Sequence, residues 1–559
     1  MGRLGAILLA IILLVPTSVQ AEWVMFGGDA NHSGIAEITE RTIQKREPTV
    51  SWDRGSSSEE VYSWGTSIGN FTPNIDGDPY DRNVLHIVYV TAEQDGDWLR
   101  GYLVIRDGGN PGKLMWKRDL GNIKDQNNQS LESDFENFQA AYGTPVIADF
   151  DGDGLMDIAV AIPNGIVHFF EPKIEYTAQS ESYDADDEGD RWSHETDMTI
   201  VRSNAAITSF NGGNDLVISG IDLDNGEVKV VAIDGSTGND LWSFEADGTE
   251  VSSPAVFVDG SSRKIFVSVY DNTQLDVYAI QGGSGLSGWN PKSIGTIVNP
   301  NDNSQHPMLP SILISDITDD TGKEILVPQP PATDTGDSQL WLFTDDGDYA
   351  NGWDSSYSLE GGGDMDATPA AGDIDGDGDF DVLVTNYWRE KNTLYRNEGG
   401  RFLDATHAHG LGYMTKLPVG WGTALMDFDN DGDLDNFVTN GDFYDFRPYP
   451  MRQRPMLFAN QGNGMFEDVR DQAGDYFQDH WVGRGAAFGD LDNDGDTDIV
   501  VNHWGEAAAV LRNDSVGQGA WVRFDLMGVQ GNRDAVGAAL RVQVGTRFFH
   551  YQRKAGSSY

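Results

Sequence analysis

The chain has 559 residues and carries 37 Lys and Arg against 89 Asp and Glu, which gives a formal net charge of −52. This balance disfavours a nucleic-acid partner, because a polyanion would be repelled. Hydrophobic residues make up 39% of the chain, which is enough for a packed core and argues against general disorder. The chain has no cysteine, so disulfides, thiolate metal sites and a cysteine nucleophile are excluded.

Residues 1–21 are predicted to form a secretory signal peptide. Arg3 supplies a positive charge, Leu4–Val15 is apolar, and Val19 and Ala21 place small residues at the −3 and −1 positions of a cleavage site. The apolar run is too short to span a bilayer, and no later stretch approaches the ~20 apolar residues that a transmembrane helix needs. We therefore expect a protein that is secreted, held at the cell surface or periplasmic, and no transmembrane segment.

Four segments share the pattern D-x-D-x-D-G-x-x-D, and they are Asp149–Asp157, Asp373–Asp381, Asp427–Asp435 and Asp490–Asp498. Side chains at positions one, three, five and nine converge if the chain turns sharply at the glycine, and the carbonyl of position seven adds an oxygen. Hard oxygen ligands in this number suit Ca²⁺, whereas Mg²⁺ prefers fewer carboxylates and more water. The alternative is a set of solvated acidic turns. Repulsion between the carboxylates argues against solvated turns without a cation, since two carboxylates about 4 Å apart repel by roughly 4 kcal/mol at an effective dielectric constant of 20.

The pattern predicts about four Ca²⁺ sites with five candidate ligands in each. The candidates are Asp149, Asp151, Asp153, Leu155 and Asp157; Asp373, Asp375, Asp377, Asp379 and Asp381; Asp427, Asp429, Asp431, Asp433 and Asp435; and Asp490, Asp492, Asp494, Asp496 and Asp498. A fifth, degenerate site is predicted near Asp316, with Asp320 and Glu324 as its other acidic residues.

An EF-hand is the competing interpretation of these loops, and position twelve tests it. That motif needs a bidentate Glu there, but the residues at position twelve are Val160, Val384, Val438 and Val501. Each loop also runs into a short apolar, β-branched segment, which predicts a strand rather than a helix. The loops are therefore predicted to join two strands.

A longer unit surrounds each of these loops. A small residue or Pro, a short apolar strand, an acidic turn and a second apolar strand recur eight times, beginning at Thr72, Thr144, Asn204, Ser253, Pro310, Thr368, Thr423 and Ala486. Self-similarity of this kind is typical of a β-propeller, in which each blade packs on its neighbours. We predict an all-β fold: a propeller of seven or eight blades over residues 22–515 and a short C-terminal β module over 516–559.

The acidic loops resemble the FG-GAP/VCBS blades of integrin-α-type propellers. The segments Leu394–Asp404 and Leu457–Asp468 resemble the L-[YF]-x-N-x-G-x-G-x-F-x-D linker of bacterial VCBS proteins and the cartilage acidic protein group. Trp521–Phe524 and Gly531–Ala538 resemble the start of an ASPIC/UnbV module, which is either trimmed or cut short at Gly556–Tyr559. The resemblance implies Ca²⁺-stabilised blades and an extracellular binding or adhesive role.

The N-terminal half departs from that pattern. Val231–Trp242 resembles the A-x-D-x-x-T-G-x-x-x-W repeat of quinoprotein-type propellers, in which the aromatic residue most often packs between blades. Gly65–Gly69 matches the G-x-S-x-G nucleophile elbow, but the strand-to-helix context is missing, so Ser67 is not predicted to be catalytic. His407 and His409 are interpreted as exposed loop histidines rather than a metal pair.

The C-terminal 40 residues differ in charge from the rest of the chain. Their basic residues are Arg523, Arg533, Arg541, Arg547, Arg553 and Lys554, and their acidic residues are Asp525 and Asp534. A cationic β segment on an anionic ring packs either on its own propeller or on a neighbouring copy, where it would build a filament.

The sequence as a whole predicts a secreted, calcium-binding propeller that acts as an extracellular binding, adhesion or structural surface protein. We predict no catalytic residues and no cofactor other than Ca²⁺. The expected partner is an extracellular protein, a glycan or another copy of the chain. Two alternatives stay open: a subunit of an extracellular homopolymeric filament, and a quinoprotein-like or carbohydrate-active enzyme.

Overall fold

The computed structural model describes residues 51–552 with gaps, of which the longest are 70–85, 123–143, 296–308, 330–338, 359–368 and 514–538; shorter gaps interrupt other loops. The predicted signal peptide, Leu155, Asp316 and Asp320 lie outside the described residues. Of the predicted C-terminal module, the structure describes two strands.

The described strands form ten antiparallel sheets; eight of them are the blades of a propeller, numbered here in chain order, and two are separate hairpins. The first strand, β1 (Ser51–Trp52), belongs to blade 8. Blade 1 consists of β2 (Glu60–Gly69), β3 (His86–Asp95), β4 (Trp98–Asp107) and β5 (Leu114–Asn122). Blade 2 consists of β6 (Val146–Ala148), β7 (Asp157–Ala161), β8 (Ile166–Phe170) and β11 (Asp190–Glu195), with the hairpin β9 (Ile174–Thr177) and β10 (Ser182–Ala185) inserted before β11. Blade 3 consists of β12 (Ala206–Thr208), β13 (Asp215–Asp222), β14 (Glu227–Ile233) and β15 (Asp240–Asp247).

Blades 4 and 5 continue the same order. Blade 4 consists of β16 (Glu250–Val251) and β17 (Ala255–Asp259), both paired with β18 (Ser262–Tyr270), then β19 (Leu275–Gln281), which pairs with β20 (Gly285–Leu286) and β21 (Lys292–Gly295). Blade 5 consists of β22 (Leu313–Ser315), β23 (Glu324–Gln329), β24 (Gln339–Thr344) and β25 (Tyr357–Ser358).

The last three blades contain three of the four acidic loops. Blade 6 consists of β26 (Ala370–Gly372), β27 (Asp381–Val384), β28 (Thr393–Glu398) and β29 (Arg401–Asp404). Blade 7 consists of β30 (Gly420–Met426), β31 (Asp435–Asn440), β32 (Met456–Asn460) and β33 (Phe466–Asp468). Blade 8 consists of β34 (Gly483–Gly489), β35 (Asp498–His503), β36 (Glu506–Arg512) and β1. A C-terminal hairpin follows, formed by β37 (Ala539–Val544) and β38 (Arg547–Gln552).

Two short 3₁₀ helices, Arg470–Gln472 and Asp475–Gln478, precede blade 8. In the part of the chain that the structure describes, no helix has the length and apolar character needed to traverse a lipid bilayer.

Each blade packs against the blade on either side of it, because alternate residues of a strand face opposite sides of the sheet. In β3, Ile87 and Tyr89 join a cluster with blade 8, whereas Val88 and Val90 join a cluster with blade 2. This division follows from the side-chain period of two in a strand. Within the described residues, one apolar cluster fills each of the eight blade interfaces. The predicted all-β propeller is confirmed, and its blade number is eight.

The ring is closed by pairing between the two ends of the propeller. Ser51 lies opposite Arg512 and Trp52 lies opposite Leu511, so β1 supplies the outer strand of blade 8. First strands of neighbouring blades contact each other, as β6 contacts β12 and β30 contacts β34, which places them around the centre of the ring. Closure of this kind protects sheet edges that would otherwise be exposed.

Blade 1 begins earlier than the repeat pattern predicts. The pattern placed its first strand after Thr72, but the strand that pairs with β3 is Glu60–Gly69. This strand includes the G-x-S-x-G segment at Gly65–Gly69, where the sequence shows no strand-to-helix context. Gly, Ser and Thr in that segment hide the alternation by which a strand is recognised.

Gly441 marks a close approach of blades 7 and 8. A Cβ at this position would lie 2.8 Å from the backbone nitrogen of Gly483 and 2.8 Å from Cα of Val482. We expect Gly441→Ala to lower the free energy of unfolding by about 1 to 3 kcal/mol, because backbone atoms have to move. Urea unfolding measures the change.

Gly213→Ala is the matched control for this substitution. Its Cβ would meet Phe150 O at 3.8 Å, an ordinary contact, so this variant should unfold at the wild-type urea concentration. Equal stability of the two variants would contradict the predicted close packing of blades 7 and 8.

Candidate metal centres

Each acidic segment is the turn between the first and second strands of a blade. We name these turns acidic loops 2, 6, 7 and 8 after their blades; they are Asp149–Asp157, Asp373–Asp381, Asp427–Asp435 and Asp490–Asp498. Position one follows the first strand directly, and position nine is the first residue of the second strand. The prediction that the loops join two strands is therefore confirmed. The valines at position twelve are buried in the second strands.

Carboxylates at positions one, three and nine come together in all four acidic loops. In each group, one oxygen from each residue lies within 4.8 Å of the others. The groups are Asp149, Asp151 and Asp157; Asp373, Asp375 and Asp381; Asp427, Asp429 and Asp435; and Asp490, Asp492 and Asp498. The candidates at position five (Asp153, Asp377, Asp431 and Asp494) are not members of these groups. In loop 6 this residue serves the backbone instead, since Asp377 Oδ1 accepts a hydrogen bond from the Asp379 N–H at 3.0 Å.

The position-one carboxylate shapes the turn. In loop 7, Asp427 Oδ1 accepts from the Asp431 N–H at 3.1 Å, and Oδ2 accepts from the Gly432 N–H at 2.9 Å. Gly432 has a φ of 90°, a left-handed conformation that favours glycine. The sharp turn predicted at the glycine is present there, and Gly378 and Gly495 also have positive φ values.

The position-nine carboxylate connects three segments of a blade. In loop 7, Asp435 Oδ2 accepts from the Phe428 N–H at 2.9 Å, and Oδ1 accepts from the Asn460 N–H at 2.8 Å. Asp435 has 0% exposure. One buried carboxylate thus joins the start of the loop, the second strand and the end of the third strand.

The same carboxylate bridge recurs in other blades. The backbone N–H of the residue after position one donates to Asp157 in loop 2, Asp381 in loop 6 and Asp498 in loop 8. Asp215 of blade 3 accepts from the Phe210 N–H at 2.7 Å, and Glu324 of blade 5 accepts from the Ile317 N–H at 2.5 Å. This structural role was missed at the sequence level, where position nine was interpreted only as a metal ligand.

In each of blades 6, 7 and 8, an asparagine side chain donates a hydrogen bond to the blade before it. Asn460 Nδ2 of blade 7 donates to Ile374 O in loop 6 at 2.8 Å. Asn513 Nδ2 of blade 8 donates to Phe428 O in loop 7 at 2.6 Å, and Asn397 Nδ2 of blade 6 donates to Ile317 O of blade 5 at 2.7 Å. Asn397 and Asn460 are the Asn of the L-[YF]-x-N motif. The motif marks these residues in the sequence, but it does not predict their hydrogen bonds to the preceding blade.

Loop 7 holds a carboxylate oxygen that no protein group satisfies. Within the described part of the chain, Asp429 Oδ1 is buried and accepts no hydrogen bond. A buried carboxylate oxygen without a partner is unfavourable by several kcal/mol unless a proton or a cation compensates it. Three converging carboxylates and this oxygen fit a hard divalent cation such as Ca²⁺.

Burial and mutual repulsion raise the carboxyl pKa values in the loops. Burial is the largest cause for Asp435, with the carboxylates of Asp429 and Asp427 adding to it, and the pKa of Asp435 rises to about 9. In the same way the pKa of Asp381 rises to about 8, that of Asp427 to about 7 and that of Asp377 to about 6. Backbone N–H donors to Asp381, Asp427 and Asp435 oppose these shifts. In the absence of a cation, these carboxyls of loops 6 and 7 therefore keep their protons to a higher pH than carboxyls in water.

The other residues considered at the sequence level have structural surroundings. His409 is buried, and its Nδ1 lies 2.6 Å from Gly464 O, whereas His407 is exposed. Trp242 of the quinoprotein-like segment packs against the apolar cluster between blades 3 and 4 and meets Phe210 edge-on at 5.6 Å. Asp234 forms the turn of that segment by accepting from the N–H groups of Ser236 and Thr237.

A family model described as "FG-GAP-like repeat" matches residues 373–438 and 427–501, which contain acidic loops 6, 7 and 8. The chain carries FG-GAP-like repeats. They lie in blades 6 to 8 of the propeller, where the predicted resemblance is most specific. No curated protein matches the chain.

Solved propellers align with most of the chain at low sequence identity. The Dos1 propeller is 8% identical, with a TM-score of 0.40, and the alignment covers 85% of this chain and 98% of that one. The exotype rhamnogalacturonan lyase YesX is 13% identical, with a TM-score of 0.36 and coverage of 86% and 76%. The quinohemoprotein alcohol dehydrogenase ADHIIG from Pseudomonas putida HK5 is 10% identical, with a TM-score of 0.39 and coverage of 78% and 75%.

Replacing a position-nine carboxylate should destabilise the protein even without metal. Asp435→Ala leaves two buried N–H groups without an acceptor, so we expect a loss of about 2 to 6 kcal/mol from the 1–3 kcal/mol that each such group costs. Urea unfolding in the presence of a chelator measures it. Asp215→Ala is the matched variant, because Asp215 accepts from Phe210 and Gly235 in a blade without the acidic pattern. Unchanged stability of both variants would contradict the role of these bridges.

The raised pKa values predict how the stability of the metal-free protein depends on pH. The folded carboxyls keep their protons to a higher pH than the unfolded carboxyls, whose pKa is near 4. The folded state therefore binds more protons between about pH 4 and pH 9, and the free energy of unfolding falls as the pH rises through that window. We expect the melting temperature in chelator to fall from pH 5 to pH 9. Saturating Ca²⁺ should flatten this dependence, since the cation replaces the protons. A melting temperature in chelator that rises over the same range would contradict it.

Proposed function

We propose that this chain is a secreted, calcium-binding β-propeller that acts as an extracellular binding, adhesion or structural surface protein. Four Ca²⁺ ions would be held by acidic loops 2, 6, 7 and 8, with carboxylates at positions one, three and nine as the common ligands. The bound ions stabilise the turns and supply no chemistry to a substrate.

The observation that carries the proposal is the convergence of three carboxylates in each of four loops. Asp429 adds to it, because its Oδ1 is buried and accepts no hydrogen bond within the described residues. Backbone N–H groups already bind both oxygens of the position-nine carboxylate in loops 6, 7 and 8, whereas Asp429 Oδ1 at position three of loop 7 accepts none. The FG-GAP-like match to three of the four loops supports the same conclusion.

Calcium binding in this form suits an extracellular protein. Extracellular calcium modules work with dissociation constants of about 10⁻⁴ to 10⁻³ M, a range in which partly protonated, mutually repelling carboxylates still bind the ion. The predicted signal peptide at residues 1–21 agrees with export. A chain without cysteine gains stability from bound ions where other exported proteins use disulfides.

Isothermal titration of chelator-treated protein with Ca²⁺ tests the proposal. We expect four ions per chain and a higher melting temperature. With free Ca²⁺ tenfold above the dissociation constant, each site adds RT ln 11, about 1.4 kcal/mol, so four sites add about 6 kcal/mol. A melting temperature that is the same in Ca²⁺ and in chelator would refute the stabilising role.

Single substitutions at position three assign the ions to their loops. Each of the four variants, Asp151→Asn, Asp375→Asn, Asp429→Asn and Asp492→Asn, should bind one ion fewer. Asp222→Asn is the matched control. Asp222 is the last residue of β13, it accepts a hydrogen bond from Asn225 Nδ2 at 2.6 Å, and it is outside the four groups. A full complement of ions in all four variants would place the calcium elsewhere.

A further inference from the structure

The C-terminal hairpin, β37–β38, lies against acidic loops 6 and 7 of the same chain. Nδ1 of His550 is 3.0 Å from Oδ2 of Asp373, at position one of loop 6. The guanidinium of Arg547 forms an ion pair with Asp433, at position seven of loop 7. Two residues of β38, three positions apart, thus contact loops 6 and 7.

Aromatic rings of the hairpin pack on the glycines of both turns. A Cβ added at Gly432 would lie 2.6 Å from Cε1 of Phe549, and one added at Gly378 would lie 3.1 Å from Cε1 of His550. Both glycines occupy position six, where the turns bend. The rings fit there because these positions have no side chain.

The hairpin closes the solvent side of these carboxylates. The side chain of Asp373 is only 2% exposed next to His550, and that of Asp433 is 15% exposed next to Arg547. The pKa of Tyr551 is raised, chiefly by burial and then by Asp427, with Asp433 and Asp373 adding to it. The carboxylates that act on the hairpin therefore belong to loops 6 and 7.

Arg547 keeps its partner when an ion is bound. Position seven is expected to offer its backbone carbonyl to the ion, which leaves the carboxylate of Asp433 to the guanidinium. Asp373 has two oxygens, so one can face His550 while the other faces the ion. Docking of the hairpin and occupation of the loops are therefore compatible.

We propose that the hairpin is a cover over the ion sites of loops 6 and 7 that slows the exchange of their Ca²⁺ ions with solvent. The proposal rests on calcium binding by the four loops. Since an ion leaving loop 6 or 7 requires the hairpin to move aside, release from these two loops is slower than release from loops 2 and 8. The four sites of the protein then fall into two kinetic pairs.

Stopped-flow mixing of the Ca²⁺-loaded full-length protein with an excess of a fluorescent calcium chelator tests the cover. We expect two ions per chain to leave slowly and two quickly. In the double variant Arg547→Gln/His550→Gln the slow pair should leave at least about tenfold faster, which corresponds to a lowering of the barrier by about 1.4 kcal/mol. The fast pair should keep its rate.

Four further variants make the result specific. Arg541→Gln removes the same charge from the same hairpin, where the guanidinium stacks on Phe548 at 3.8 Å, and should leave all rates unchanged. Asp429→Asn should remove one slow ion, and Asp492→Asn one fast ion. Truncation before Ala539 should speed the slow pair at least as much as the double variant, and the melting temperature in chelator shows that each variant is folded.

The outcomes separate this inference from the proposed function. A chain that takes up no Ca²⁺ in the titration overturns both. Four bound ions that leave at one rate, or hairpin variants that speed all four equally, overturn the cover and leave calcium binding intact. Release rates that depend on protein concentration also overturn it, because the hairpin would then come from another copy.

Discussion

The buried carboxylate at the start of the second strand is the interaction on which the blades depend. It accepts N–H groups from the beginning of the preceding turn and, in blades 6 to 8, from the end of the third strand. Asp215 and Glu324 fulfil this role in blades 3 and 5, where the full acidic pattern is missing. Within the described residues this bridge occurs in six of the eight blades, and in four of them aspartates at positions one and three join it to form a candidate ion site. Because the bridging carboxylate is buried and close to these aspartates, their ionised forms repel one another, and a divalent cation bound there would offset that repulsion.

The acidic loops are also connected to one another by hydrogen bonds. The backbone N–H of Asn460 donates to Asp435 in its own blade, and the side-chain amide of Asn460 donates to the backbone carbonyl of Ile374 in loop 6. Asn513 does the same between Asp498 and Phe428. Loop 7 additionally reaches loop 8 through Asn430, whose amide donates to Asp496 at 2.5 Å. Through these hydrogen bonds, the conformation of one acidic loop constrains the backbone of the next.

The sequence was informative where the relevant contacts are local. Spacing of aspartates within nine residues, followed by a valine-rich strand, gave the turns, the strands and the propeller. Position five is predicted among the ligands and stays a prediction; the carboxylates that the structure brings together are those of positions one, three and nine. The dual use of position nine was missed, since its partners in the third strand are remote in sequence. The cationic C-terminal segment was predicted to pack either on its own ring or on another copy. Contacts of Arg547 and His550 with the loops favour its own ring, and only the folded chain reveals which carboxylates they meet.

The pairing of Ser51 and Trp52 with the last blade has a consequence for the order of events during biosynthesis. The strand that completes blade 8 is made before the other strands of the propeller, but its partner, Glu506–Arg512, is made only after blades 1 to 7. Local blades form early, whereas the circle closes through a contact between residues separated by most of the propeller, which is slow because a long loop must be ordered first. Until blade 8 has formed, the apolar residues of blade 1 that pack against it are exposed. A chain still being synthesised consequently exposes this apolar face to aggregation until blade 8 has been made and has packed on it.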